Sequence, residues 1–120
     1  MINVAFCSET RTVIDSHFAR CAALIIYAVD ETSYQQVGEI AFFDQEEGED
    51  DKVGSRIKVL ENCSIVYCTA IGGPAAARLV QHKIHPLKVP DGAKIQVEIE
   101  KLQKMLRTNP PPWLKKRNLV

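Results

Sequence analysis

Ser64-Ile65-Val66-Tyr67-Cys68-Thr69-Ala70-Ile71-Gly72-Gly73-Pro74 is the stretch that decides the fold. Ser64 to Ile71 is almost continuously apolar and rich in β-branched and aromatic residues. That is the pattern of a strand covered on both faces, hence a central one. Gly72-Gly73-Pro74 turns the chain, and proline suits the first turn of a helix because no N–H is needed there. Ala75 to His82 follows with Ala76, Leu79 and Val80 on one predicted helical face. Ile84 to Val89 reads as the next strand. Strand, helix and strand in that order form a right-handed crossover between parallel strands.

Upstream the pattern changes to antiparallel. Ile2 to Cys7 is a short apolar strand, and Ser8 to Thr12 is polar and turn-like. Ala22 to Val29 is a second strand and Tyr34 to Phe43 a third, linked by the turn Asp30 to Ser33. So short a link makes a hairpin. Asp51 to Leu60 is predicted helical, with Val53, Ile57 and Leu60 at i, i+4 and i+7. After Pro90-Asp91-Gly92, Ala93 to Leu106 is the last helix, with Ile95, Ile99, Leu102 and Leu106 on one stripe. The order β-β-β-α-β-α-β-α predicts an α/β fold. It has a mixed five-stranded sheet flanked by helices, on a ribonuclease H-like plan. Residues 1–106 form a single domain, and residues 107–120 an extended, Pro-rich basic tail in which Trp113 is the anchor.

Charge and cysteine usage narrow the function. The 15 basic and 15 acidic residues cancel, which argues against a general nucleic-acid binder. No apolar run approaches the ~20 residues of a membrane span. Met1 leads straight into a strand with no basic n-region, so no signal peptide is read, and a cytoplasmic protein is expected. Cys7, Cys21, Cys63 and Cys68 are then thiols rather than disulfides. None are spaced Cys-x-x-Cys. Six acids fall between Asp44 and Asp51, without the alternation of a calcium loop, and read as a solvated loop.

The richest loop is Val13-Ile14-Asp15-Ser16-His17-Phe18-Ala19-Arg20-Cys21, which places carboxylate, imidazole, guanidinium and thiol together. Ligands of parallel sheets gather at the carboxyl ends of strands. Cys7 ends the first strand, Gly72-Gly73 follows the fourth, and an antiparallel second strand begins where the first ends. Cys7, Ser8, His17, Arg20, Cys21, Gly72 and Gly73 are therefore expected at one sheet edge. His85 opens a parallel strand and belongs at the opposite edge. Cys63 and Cys68 on a straight strand would face opposite ways, roughly 16 Å apart. Cys68 reads as a core residue and Cys63 as a loop thiol. His17 with Asp15, and Cys7 or Cys21 as nucleophile, would be an enzyme's equipment. No oxyanion-hole motif accompanies them, and the first strand lacks the acids of two-metal nucleases.

The ordered set Val4-Ala5-Phe6, Val13-Ile14-Asp15-Ser16-His17-Phe18, Ile26-Tyr27, Ile71-Gly72-Gly73-Pro74-Ala75-Ala76, Ile84-His85-Pro86 and Asn109-Pro110-Pro111-Pro112-Trp113-Leu114 resembles the dinitrogenase iron–molybdenum cofactor-binding family of the NifX and NafY type. The resemblance spans nearly the whole chain. It implies a non-enzymatic carrier or chaperone. Such a carrier binds the iron–molybdenum or iron–vanadium cofactor of nitrogenase, or its iron–sulfur precursor, between assembly scaffold and apo-nitrogenase. From charge and apolar run length, no nucleic-acid or membrane partner is expected. The resemblance assigns His17 as the metal ligand. Cys7 and Cys21 are candidate second ligands, with ordinary buried thiols as the other reading. Arg20, Arg11 and Arg78, with the helix start at Gly72 and Gly73, would offset the anionic charge. The family motif has Gly after Phe18 where this chain has Ala19. Alanine enters positive φ less readily, so a different loop backbone is expected. The alternatives are an interaction module that regulates nitrogenase assembly without holding a cluster, and a thiol enzyme.

Overall fold

Every residue of Val4 to Cys7 is enclosed, because their strand has structure against both of its faces and both of its edges. The computed structural model describes residues 1–42, 52–108 and 112. Its strands are β1 (Ile2–Cys7), β2 (Val13–Ile14), β3 (Ala23–Val29), β4 (Tyr34–Ala41), β5 (Ile65–Cys68), β6 (His85–Lys88) and β7 (Ala93–Lys94). Its helices are α1 (Lys52–Val59), α2 (Gly73–Gln81) and α3 (Ile95–Thr108), with a 3-10 turn at Phe18–Arg20. The expected mixed five-stranded sheet is present, in the order β4-β3-β1-β5-β6. β1 runs antiparallel to β3 and parallel to β5, and β5 parallel to β6. The central position thus belongs to β1, with β5 beside it.

Alternation along β1 sorts the core into two layers. Ile2, Val4 and Phe6 face α3 and pack with Ile95, Ile99, Leu102 and Leu106, the stripe read from the sequence. Ala5 and Cys7 face α1 and α2 and pack with Ile57, Leu60 and Leu79. Phe6 stacks on Tyr67 at 4.6 Å and meets Tyr27 edge-on at 5.8 Å between ring centroids. Fully burying a side chain of that size contributes about 2 kcal/mol.

Several details differ from the sequence reading. β5 ends at Cys68, and Thr69 and Ala70 leave the sheet to pair with the segment around His17. Cys63 and Cys68 line the same core layer, since β5 starts only at Ile65 and Cys63 sits in the turn after α1, its N–H donating to the Leu60 carbonyl at 2.8 Å. On α2 the buried pair is Ala75 and Leu79, while Val80 is exposed, so the contact face is rotated by about one residue. Ala93 and Lys94 do not open the last helix but pair with Val13 and Ile14 as a two-stranded ribbon. α3 then continues through Arg107 and Thr108, past the expected start of the tail. The acidic block from Asp44 to Asp51 lies outside the described residues, as does the tail around Trp113.

Candidate functional site

The segment from Ser8 to Arg20 is built from short polar contacts and two patches of main-chain pairing. Ser8 is fully buried; its hydroxyl donates to the Val13 carbonyl at 2.6 Å and accepts from the Arg11 N–H at 2.8 Å. That closes a tight turn in which Arg11 takes φ 72°. The ribbon of β2 and β7 fixes the next residues from one side. Gly92 N–H donates to Ile14 at 2.9 Å, and Ile95 N–H to Thr12 at 3.0 Å. Gly92 has φ +92°, a conformation in which a side chain is strained.

His17 is fixed from the other side. The Thr69 N–H donates to the Ser16 carbonyl at 3.0 Å and the Phe18 N–H to the Ala70 carbonyl at 2.9 Å. This makes His17 and Ala70 an isolated parallel bridge. Phe18 drops into the core as a fully buried anchor. His17 caps the 3-10 turn, with its Nδ1 accepting the Ala19 N–H at 3.3 Å. The ring is half-buried. Two residues after Ala70 the chain reaches Gly72, the cap of α2, and Pro74 stands in that helix's first turn.

The edge arrangement is as expected. Cys7, His17, Cys21 and Gly72-Gly73 gather at the carboxyl ends of β1 and β5, while His85 pairs with Ile65 at the start of β5, at the other end. Arg20, Gly72 and Gly73 are exposed. Cys7 and Cys21 are 0% exposed, so their sulfurs form the floor beneath the loop rather than its surface. Burial and the hydrogen bond to Cys21 push the Cys7 thiol well above its ordinary range, the hydrogen bond being the larger cause. Burial pushes the Cys68 thiol up to about 11. Asp15 does not address the imidazole; its Oδ1 accepts from the Glu9 N–H at 2.9 Å and from the Ser16 hydroxyl at 2.8 Å. Arg11 turns toward β4 and pairs with Glu39, its Nε donating at 2.7 Å. Arg78 is exposed in the last turn of α2, far along the helix from its start. Ala19 lies in the 3-10 turn and is not among the residues with positive φ, so alanine replaces glycine there without strain.

Arg56 escaped the sequence reading. It is fully buried, its Nη2 donates to the Cys21 carbonyl at 2.6 Å, and its guanidinium lies 4.2 Å from the centroid of Phe42. The signal was its spacing: three residues after Val53 and four before Leu60, on the apolar stripe of α1.

An α/β domain with a mixed five-stranded sheet, and a half-buried histidine bridged to the strand end that leads into α2, defines the architectural class. Residues 1–105 match the family described as dinitrogenase iron-molybdenum cofactor, and the chain belongs to that family. Among curated relatives it is 34% identical to the protein NifX of Sinorhizobium fredii (strain NBRC 101917 / NGR234), covering 96% of this chain and 76% of that one. It is 36% identical to the protein NifX of Azotobacter vinelandii, covering 97% and 74%. It is 37% identical to the protein NifY of Klebsiella pneumoniae, covering 93% of this chain but 48% of that one, so the chain spans about half the NifY length. The crystal structure of PH0822 superimposes with a TM-score of 0.68 over 95% of this chain and 99% of that one. At 18% identity that likeness concerns the fold alone.

Proposed function

We propose that this chain is a carrier that binds the iron–sulfur metallocofactor of nitrogenase, or its precursor, during assembly, with His17 as its metal ligand. The observation that carries the reading is the placement of His17. Its backbone is flanked by two main-chain bonds, its ring stays half-buried, and its bridge partner Ala70 lies two residues before the exposed cap of α2. Membership of the iron–molybdenum cofactor family supplies the class of cargo. An imidazole completes the coordination of a metal whose other positions are filled by sulfide. The turn occupies Nδ1, which leaves Nε2 as the ring nitrogen for a metal. Ligation there would move the ring proton to Nδ1 and cost the Ala19 contact, which at 3.3 Å is a weak bond.

A single ligand suits a carrier, which must release its cargo. Arg20 and the N–H groups at Gly72 and Gly73 would offset the charge of an anionic cluster, a helix start being worth about 0.3–1 kcal/mol. Cys7 and Cys21 serve as floor in this conformation, and they would act as ligands only after the 3-10 turn opened. The carrier would act between an assembly scaffold and apo-nitrogenase. Anaerobic gel filtration with isolated iron–molybdenum cofactor, for wild type and His17→Ala, tests the reading. Co-elution of metal with wild type and its loss from the variant is expected. Equal retention by both sinks the ligand assignment. If neither retains metal while an assembly partner is captured, the interaction-module reading replaces the carrier.

A further inference from the structure

The two edges of the five-stranded sheet are guarded unequally. β6 is four residues long and ends in Lys88. The His85 and Val89 N–H groups bond inward, to the Ser64 and Cys68 carbonyls at 2.9 Å, so Pro86 stands where an N–H would otherwise face outward. Short length, proline and lysine are the usual means of blocking an edge. β4 has eight residues, no proline and no lysine. Its one charge, Glu39, is paired within the chain by Arg11. Tyr34 and Val37 are exposed. Among the described residues, β4 has a neighbouring strand on one side only, β3.

The hydrogen bonds of the β3–β4 hairpin decide which main-chain groups of β4 point outward. The Phe42 N–H donates to the Ala22 carbonyl at 2.9 Å. Antiparallel pairs alternate between bonded and non-bonded, so Ile40 and Gly38 also bond to β3, while Ala41 and Glu39 turn away from it. At the turn, the Asp30 N–H donates to the Ser33 carbonyl at 2.9 Å. The same alternation makes Gln35 bond inward and leaves Tyr34 and Gln36 outward. The phase changes at the bulge, where Val37 is the extra residue between Gln36 and Gly38.

The outward groups are therefore Tyr34, Gln36, Glu39 and Ala41, and they are symmetric about the Val37–Gly38 bond. We propose that β4 is a self-association edge, at which two copies of this chain pair as antiparallel strands and join their five-stranded sheets into one. A two-fold axis at the Val37–Gly38 bond sets Tyr34 opposite the partner's Ala41 and Gln36 opposite the partner's Glu39. The extra residue of one strand is matched by the extra residue of the other. Each Glu39 then meets an amide, and no like charges stand opposite each other. His17 bridges to Ala70 beyond β1 from this edge, so the pairing does not involve it and does not depend on what the loop carries.

The test follows the full chain by sedimentation velocity and residue-resolved amide exchange, from micromolar to near-millimolar concentration. A monomer–dimer equilibrium is expected. The amides of Gln36, Glu39 and Ala41 are expected to exchange rapidly in dilute samples and about ten-fold more slowly in concentrated ones, while those of Gln35, Gly38 and Ile40 are protected in both. Gln36→Pro removes an outward N–H that the ladder with β3 does not use, so it is expected to keep the fold and abolish the dimer. Two charge variants check the register without relying on a proline. Gln36→Glu sets carboxylates opposite each other on both sides of the axis and is expected to raise the dimer Kd about ten-fold. Gln36→Lys faces the partner's Glu39 and is expected to lower it. A monomer at every concentration, a dimer whose outward amides stay unprotected, or equal Kd values for the two charge variants overturns the proposal. So does protection that appears only when an assembly protein is added to a chain that stays monomeric alone.

Discussion

His17 and Ala70 lie side by side as a parallel bridge, although 53 positions separate them in the chain. The two bonds around them, Ser16 with Thr69 and Phe18 with Ala70, involve main-chain atoms only. The imidazole is therefore placed by backbone and can be removed without dismantling its support. His17→Ala is expected to lower stability by only about 1 kcal/mol, the usual cost of a lost cap. Urea unfolding checks this. A loss several times larger would make His17 a structural residue, and any loss of cofactor retention in that variant would then be indirect.

Ala19 offers a sharper check on the loop backbone. Its φ is not positive, so glycine gains nothing there and adds freedom to the unfolded chain. Ala19→Gly, which restores the family's residue, is expected to destabilise by about 0.5–1 kcal/mol. A stabilised variant would mean that the turn differs from the one described.

Arg56 ties α1 to the end of the loop. Arg56→Met keeps much of the apolar stem but removes the Nη2 donor to the buried Cys21 carbonyl. A loss of about 2 kcal/mol is expected, within the range for a lost buried hydrogen bond from a charged donor. Thermal unfolding measures it, and faster amide exchange at Phe18 and Ala19 would show that the damage reaches the turn. An unchanged melting temperature would contradict the role given to this contact.

Glu39 and Arg11 should report on pH. The hydrogen bond from Arg11 holds the Glu39 carboxyl below its ordinary range. A depressed carboxylate contributes stability that is present above its unfolded pKa of about 4.3 and is lost as pH falls through the lower folded value. An NMR titration should place the Glu39 midpoint below the usual glutamate range and move it upward in Arg11→Gln. Identical midpoints in the two proteins would show that the pair does not form in solution.

The main elements were legible because β1 and β3 are near-continuous apolar runs and the α3 stripe keeps helical spacing. Ile95, Ile99, Leu102 and Leu106 fall on the core as their spacing required. The shared edge of Cys7, His17 and Gly72, and the exclusion of His85, followed from strand direction alone. The β2–β7 ribbon was not legible, since two residues per strand carry no period. The rotation of α2 was missed because Ala75, Ala76 and Ala77 give nearly equal apolar weight to neighbouring faces. Arg56 was passed over because a charged residue is expected outside, and only its spacing revealed otherwise. Cys68 was read as a core residue and is one, whereas Cys7 and Cys21 were sorted by edge while their depth was left open between ligand and buried thiol.

The backbone pairing of residues 16–18 with 69–70 has one more consequence. Thr69 and Ala70 hold the loop through amide and carbonyl groups, so their half-buried side chains are free of that duty. Substitution at these two positions would change the side chains next to His17 in the bridge while the main-chain bonds that place the imidazole remain. In the carrier proposed above, such substitutions would alter what the site accepts without moving the imidazole.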